Sequence, residues 1–69
     1  MKSIEETIEE VVLDENEKAE IKNTYKNYNK IITSNEGTYA DLKDNLEIEG
    51  YNVNTGYNQA GKYFEISIS

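Results

Sequence analysis

Residues 63–68 read Tyr-Phe-Glu-Ile-Ser-Ile, and this stretch decides the fold because its most apolar residues recur at every second position. Phenylalanine and two isoleucines alternate with tyrosine, glutamate and serine, the pattern of a strand with one buried face. A second run, residues 51–55, has the composition to pair with it. The glycine-containing residues 56–61 between the two runs predict the turn. The end of the chain is therefore predicted to form an antiparallel β-hairpin.

Before this hairpin the apolar spacing becomes helical, and each helical segment follows a capping residue. Ser3 begins a capping box with a glutamate three residues later, Asp14 begins a second such pattern, and Thr38 begins a third. The predicted helices span residues 4–12, 15–33 and 39–48.

The second predicted helix is the longest because a single apolar stripe runs along it. That stripe consists of Ile21, Tyr25, Tyr28 and Ile32. A breaker cluster at 34–37 ends the helix. The end of the third helix has a rival interpretation, since residues 46–49 also alternate and could begin a strand. Gly50 stands where a helix-terminating glycine belongs and favours the helix.

Together these elements predict one α+β domain over residues 1–69. Its three helices are followed by a C-terminal antiparallel β-hairpin that packs on them, in the element order of a winged helix. The predicted core consists of Ile4, Ile8, Val11, Val12, Ile21, Tyr25, Tyr28, Ile32, Leu42, Leu46, Val53, Phe64, Ile66 and Ile68.

Charge is unevenly distributed along a chain with 14 acids, seven lysines and a net charge of −7. Residues 1–20 carry a net −6, residues 21–35 a net +3 and residues 36–69 a net −4. The sequence thus has a basic middle between two acidic ends. Its richness in isoleucine, lysine, asparagine and tyrosine, with no arginine, is typical of low-GC bacteria and of their viruses and mobile elements.

The residue types argue against catalysis. Without histidine, cysteine or arginine, the chain lacks the commonest general base, the thiol nucleophile and the bidentate phosphate clamp. Residues 56–63 nearly match a phosphate-binding loop, but their lysine leads into a strand pattern and not into a helix. Residues 14–17 resemble the start of a calcium loop but lack its glycine and its final glutamate. We therefore expect no enzyme activity, cofactor or metal.

The acidic surface favours a protein-binding function, as an inhibitor or modulator of a partner with a basic, nucleic-acid-binding groove. Carboxylates on a rigid scaffold can act as a nucleic-acid mimic that competes with phosphates, and electrostatic steering speeds such association. This mode of action is similar to that of anti-CRISPR proteins. The similarity is one of functional class and is not supported by a sequence motif. The predicted partner-binding residues are Glu5, Glu6, Glu9, Glu10, Asp41, Asp44, Glu47 and Glu49, with Tyr51, Tyr57 and Tyr63 as apolar anchors.

Two alternatives use other parts of the chain. In the first, a winged-helix-like regulator binds nucleic acid through a lysine ridge on the second helix, with Lys18, Lys22, Lys26, Lys30 and Lys62 as contacts. In the second, a small structural subunit self-assembles as a homodimer through the edge of the C-terminal hairpin, where the last strand is expected to present an open edge.

A cytoplasmic location is the expectation from the distribution of apolar residues. The longest strictly apolar run is residues 11–13, too short to cross a membrane. The first six residues also lack the apolar core of a signal peptide.

Overall fold

The computed structural model describes residues 1–69 and contains three helices and one three-stranded antiparallel sheet. The α+β class, the three helices and the final hairpin are confirmed. The elements are α1 (Ile4–Val11), α2 (Glu15–Tyr28), β1 (Lys30–Thr33), α3 (Glu36–Ile48), β2 (Val53–Asn58) and β3 (Tyr63–Ile68).

Each helix begins at a side chain that accepts a hydrogen bond from a free backbone N–H group. Ser3 accepts from the N–H of Glu6 at 3.0 Å, and Asp14 caps α2 in the same way. These two predicted caps are confirmed. The third is wrong: Asn35, and not Thr38, caps α3, so this helix starts three residues earlier than predicted. Asparagine is among the strongest capping residues, and the sequence interpretation overlooked it.

The end of α3 is a helix and not the start of a strand. Gly50 has a φ of +95°, which the absence of a side chain permits. Its N–H donates to the carbonyl of Glu47, and the N–H of Tyr51 donates to the carbonyl of Leu46. This pair of bonds is the Schellman arrangement, which satisfies the last carbonyls of a helix.

The largest correction concerns the end of α2. The helix stops at Tyr28, and Asn29 adopts a left-handed conformation with a φ of 59°. The predicted helical residues 30–33 instead form β1, a run of Lys-Ile-Ile-Thr that is rich in β-branched side chains. As a result Tyr28 is 67% exposed and not part of the core, whereas Ile31, which was not predicted there, is fully buried.

The sheet has the order β1-β3-β2, so the last strand of the chain lies in its centre. In β1 Ile31 faces Ile66, and in β2 Val53 faces Ile68. The predicted open edge on the last strand is therefore wrong, because β2 is the exposed edge. The winged-helix element order is also wrong in detail, since β1 separates α2 from α3 and interrupts the compact helix-turn-helix.

The core lies between the sheet and α3, with α1 packed on α3 and α2 packed beside β1. Phe64 of β3 stacks on Tyr39 of α3, with ring centroids 4.5 Å apart, and makes a tilted contact with the ring of Tyr57 of β2, with centroids 4.9 Å apart. None of the helices is long and apolar enough to cross a membrane. The fully buried apolar residues are Ile8, Val12, Ile21, Ile31, Leu42, Leu46 and Ile66.

Candidate protein-binding surface

The first and third helices form an acidic layer, which we define as α1 and α3 together. Helix α1 carries four glutamates and no lysine, and α3 carries four acids and only Lys43. The remaining acids and lysines of the chain cancel, so the net charge of this layer equals the net charge of −7 of the whole chain. Lys2, Lys18 and Lys22, which lie outside the two helices, pair with Glu9 and Glu10 of α1 and neutralise part of this charge.

Two contacts fix the start of α1 to the end of α3. The backbone N–H of Lys2 donates to Oε1 of Glu49 at 2.9 Å, and the hydroxyl of Tyr51 donates to the carbonyl of Lys2 at 2.7 Å. Core packing of Ile8 against the α3 leucines supports the same arrangement. The acids of the two helices are consequently held on one rigid scaffold.

Four of the eight predicted acidic contacts are engaged within the protein. Glu9 accepts from Lys18 and Lys22, Glu10 accepts from Lys2 at 2.5 Å, and Glu47 accepts from Lys43 at 3.1 Å. Glu49 accepts from the backbone of Lys2. These acids are less free for a partner than the sequence predicted, because each already has a donor.

The other four predicted acids remain exposed and available. Glu5, Glu6 and Asp41 have no salt bridge, and Asp44 lies 4.0 Å from the nearest lysine nitrogen, that of Lys43. The Glu6 side chain does not complete the reciprocal half of the capping box, so its carboxylate is free. These four carboxylates define the available part of the acidic layer.

Lys18 joins the acidic layer to α2. Its side chain is only 11% exposed and donates to Glu9 of α1 and to Glu15 of α2. The hydrogen bond to Glu9 raises the pKa of Lys18 above its ordinary value of 10.5, against the opposing effect of burial. In turn, hydrogen bonds from Lys22 and then from Lys18 lower the pKa of Glu9 below its ordinary value of 4.5.

Replacement of this carboxylate, Glu9→Gln, is expected to flatten the acid dependence of stability. Folding lowers the pKa of Glu9. The ionised Glu9 carboxylate therefore stabilises the folded protein above about pH 4.5, and this stabilisation is lost as the pH falls through the lowered pKa of the folded state. The variant should therefore be less stable than wild type at pH 7 and converge with it in strong acid. Urea unfolding followed by circular dichroism from pH 2 to pH 7 measures the difference.

The matched control for this experiment is Glu20→Gln, which removes an exposed acid of α2 that contacts no lysine. Its stability curve should run parallel to that of wild type. Equal behaviour of the two variants at every pH would show that the Glu9 ion pairs contribute nothing to folding.

The predicted lysine ridge is only partly present. Lys18 and Lys22 point to Glu9, and Lys30 pairs with Glu65 at 3.2 Å across the sheet. Lys30 is also the first residue of β1, so the helical ridge ends at Lys26. Lys26 and Lys62 are the two members of the predicted set without an ion pair, a small number for binding a phosphate backbone.

The three predicted tyrosine anchors have different surroundings. Tyr51 is half-buried and its hydroxyl is used inside the fold. Tyr57 is 51% exposed on β2, and Tyr63 is half-buried at the start of β3. Neither of these two lies on the acidic layer, whereas Tyr51 lies beside the predicted acid Glu49, since both bond to the backbone of Lys2.

Ile48 is an apolar residue on the acidic layer that the sequence analysis missed. It is 80% exposed, although it stands on the same helix as Asp41, Asp44 and Glu47. The sequence could have indicated this exposure, because Ile48 does not fall on the apolar stripe that Leu42 and Leu46 define at helical spacing. Ile48 is the one exposed large apolar side chain of the two helices that form the acidic layer.

The glycine-containing segment between β2 and β3 is a hairpin turn. Asn58 accepts a hydrogen bond from the N–H of Gly61 at 2.7 Å, and Lys62 has a φ of 56°. The chain continues directly into β3, so the lysine is not followed by the helix whose N-terminus a phosphate-binding loop requires. The resemblance to a phosphate-binding loop is therefore limited to the sequence pattern and does not extend to the structure.

Comparisons of the chain with protein-family models, with curated proteins and with solved structures gave no match in any of the three. The interpretation of the acidic layer consequently depends on its own geometry.

Proposed function

We propose that this protein is a non-enzymatic binding protein that inhibits or modulates a partner by presenting its acidic layer to a basic, nucleic-acid-binding groove. The proposal includes a cytoplasmic site of action and an origin in a phage or mobile element, which follow from composition alone. It retains the four available carboxylates Glu5, Glu6, Asp41 and Asp44 as first contacts.

One observation carries this proposal: two helices that pack together carry eight acids and one lysine, an excess that equals the net charge of the whole molecule. A solvated protein surface ordinarily mixes charges of both signs, as α2 does here with three acids and three lysines. Concentration on one side instead creates a directional field. Such a field accelerates encounter with a positively charged groove by about 10–10³-fold.

The rigidity of the layer supports competition with phosphates. Its acids stand on helices joined by the Lys2–Glu49 and Lys2–Tyr51 contacts, so little entropy is lost when they meet a partner. Ile48 supplies an exposed apolar side chain beside the charges. The partner is accordingly expected to combine lysines and arginines with a small apolar pocket.

The experiment compares wild type with the double charge reversal Glu6→Lys/Asp41→Lys. Immobilised wild type is expected to retain a basic protein from a lysate of a low-GC bacterium and to release it as NaCl is raised. With the purified partner, the reversal should lower the association rate at low salt about tenfold or more, because two available carboxylates of the field change sign. Stopped-flow kinetics measures this rate.

The matched control is Glu20→Lys/Glu65→Lys, which changes the net charge by the same amount on α2 and β3, at residues that have no contact with the acidic layer. Its association rate should stay much closer to that of wild type, because the acidic layer is intact. If both double variants slowed association equally, the effect would be due to net charge alone, and a specific binding surface would be refuted. Addition of the protein should also release DNA or RNA from the purified partner, and failure to do so would contradict the phosphate-competing mechanism.

A further inference from the structure

Strand β2 has an unused hydrogen-bonding edge. The N–H of Ser69 donates to the carbonyl of Asn52, which fixes the alternation along the strand. Backbone groups of Asn54, Gly56 and Asn58 therefore face β3, and those of Val53, Thr55 and Tyr57 face away from the sheet. No other backbone or side-chain group bonds to these outward-facing atoms.

The two edge strands of the sheet differ in what covers them. At β1 the backbone N–H of Ile32 donates to Oγ1 of Thr24 at 3.2 Å, and α2 packs alongside the strand. At β2 four consecutive residues, 54–57, are exposed and no element covers them. Natural edge strands are commonly protected by lysine, proline or a bulge, and β2 has no lysine and no proline.

The exposed edge is also free of charge. Charged residues make up 30% of the chain, but none occurs in residues 50–61. This segment contains all of β2. Two molecules that each carry a net charge of −7 can therefore meet along this edge without placing like charges opposite one another.

The edge is complementary to itself in one antiparallel register. When Thr55 faces Thr55 of a second copy, Val53 faces Tyr57 and Tyr57 faces Val53. Each of these residues has its N–H and carbonyl directed outward, so every free donor meets a free acceptor. Pairs of threonines and of aromatic with β-branched side chains are favourable across antiparallel strands. Asn54 then lies opposite Gly56 on the other face.

We propose that this protein forms a two-fold symmetric homodimer in which β2 pairs with β2 of a second copy, centred on Thr55, to give a continuous six-stranded sheet. The interface is isologous and closed, so it yields a dimer and not a fibre. Both copies place their helices on the same face of the sheet, which leaves the acidic layers outside the strand contact. The dimer does not depend on the proposed function.

The test uses opposite charges at the two-fold axis. Wild type should change from monomer to dimer in sedimentation over a concentration series that reaches the millimolar range. Thr55→Lys and Thr55→Glu should each weaken dimerisation about tenfold or more, because each places like charges opposite one another. An equimolar mixture of the two variants should regain the dimer, since lysine then faces glutamate.

Asn54→Lys is the matched control, because it adds the same charge one position away, where Gly56 of the second copy lies opposite. It is expected to weaken the dimer much less than Thr55→Lys does, because the two added lysines are diagonal neighbours and not directly opposite one another. Recovery in the mixture also excludes misfolding as the cause of the single-variant defects. A wild type that stays monomeric at millimolar concentration, or a mixture that remains monomeric, would overturn the dimer.

Salt dependence separates this dimer from the proposed function. Self-association of two acidic molecules should become stronger as NaCl is raised, because salt screens their mutual repulsion. Binding of the acidic layer to a basic partner should become weaker. Weakening of the dimer by salt would contradict pairing through the uncharged strand, whatever the outcome of the partner-binding experiments.

Discussion

Replacement of Ile31 by alanine is expected to lower the free energy of unfolding by about 2–5 kcal/mol, the range for a large-to-small change in a packed core. Ile31 is fully buried in β1 and faces Ile66 of β3. A domain of this length has a total stability of about 3–10 kcal/mol, so the variant should lose about half of it. Urea unfolding followed by circular dichroism measures the change.

Its neighbour Ile32 provides the control, since the alternation of a strand places it on the other face and leaves it half-buried. Ile32→Ala should cost clearly less than Ile31→Ala. The reverse order would mean that α2 continues through these residues, because Ile32 and not Ile31 would then belong to the helical stripe with Ile21 and Tyr25.

The second large effect is expected at Phe64, whose ring connects three elements. It stacks on Tyr39 of α3 and makes a tilted contact with Tyr57 of β2. Phe64→Ala should destabilise the protein by about 2–4 kcal/mol, somewhat below the range for a fully buried ring, because Phe64 is only half-buried. It should also change the near-ultraviolet circular dichroism of the tyrosines, which lose their stacking partner.

Phe64→Leu separates these two effects. Leucine retains much of the buried apolar area but offers no ring, so it should recover part of the stability without restoring the tyrosine signal. If the alanine variant unfolded at the same urea concentration as wild type, the packing of α3 on the sheet would not depend on this ring.

Local patterns in the sequence were sufficient for much of the fold. The caps at Ser3 and Asp14 and the hairpin of β2 and β3 depend on residues close to one another in the chain, and all three were predicted. The conformation of residues 30–33 depends on pairing with β3, more than thirty residues away. Because Ile32 fits the helical spacing equally well, periodicity alone favoured the wrong element there.

The candidate surface was less predictable than the fold. The acids were identified by type, but which of them are free depends on which lysines reach them. Lys18 and Lys22 bind Glu9 across two helices, and no sequence spacing within one helix indicates such a contact. Ile48 could have been found from its position off the apolar stripe of α3.

The central position of β3 also sets the order of events during synthesis. Residues of β1 precede their partners in β3 by 31–37 positions. At about 5–20 residues per second, a ribosome adds the pairing partner of β1 roughly 2–7 seconds after β1 itself. Neither of the other strands can join the sheet before then, since both pair only with β3. During translation Ile31 therefore exists without its pairing partner for this interval.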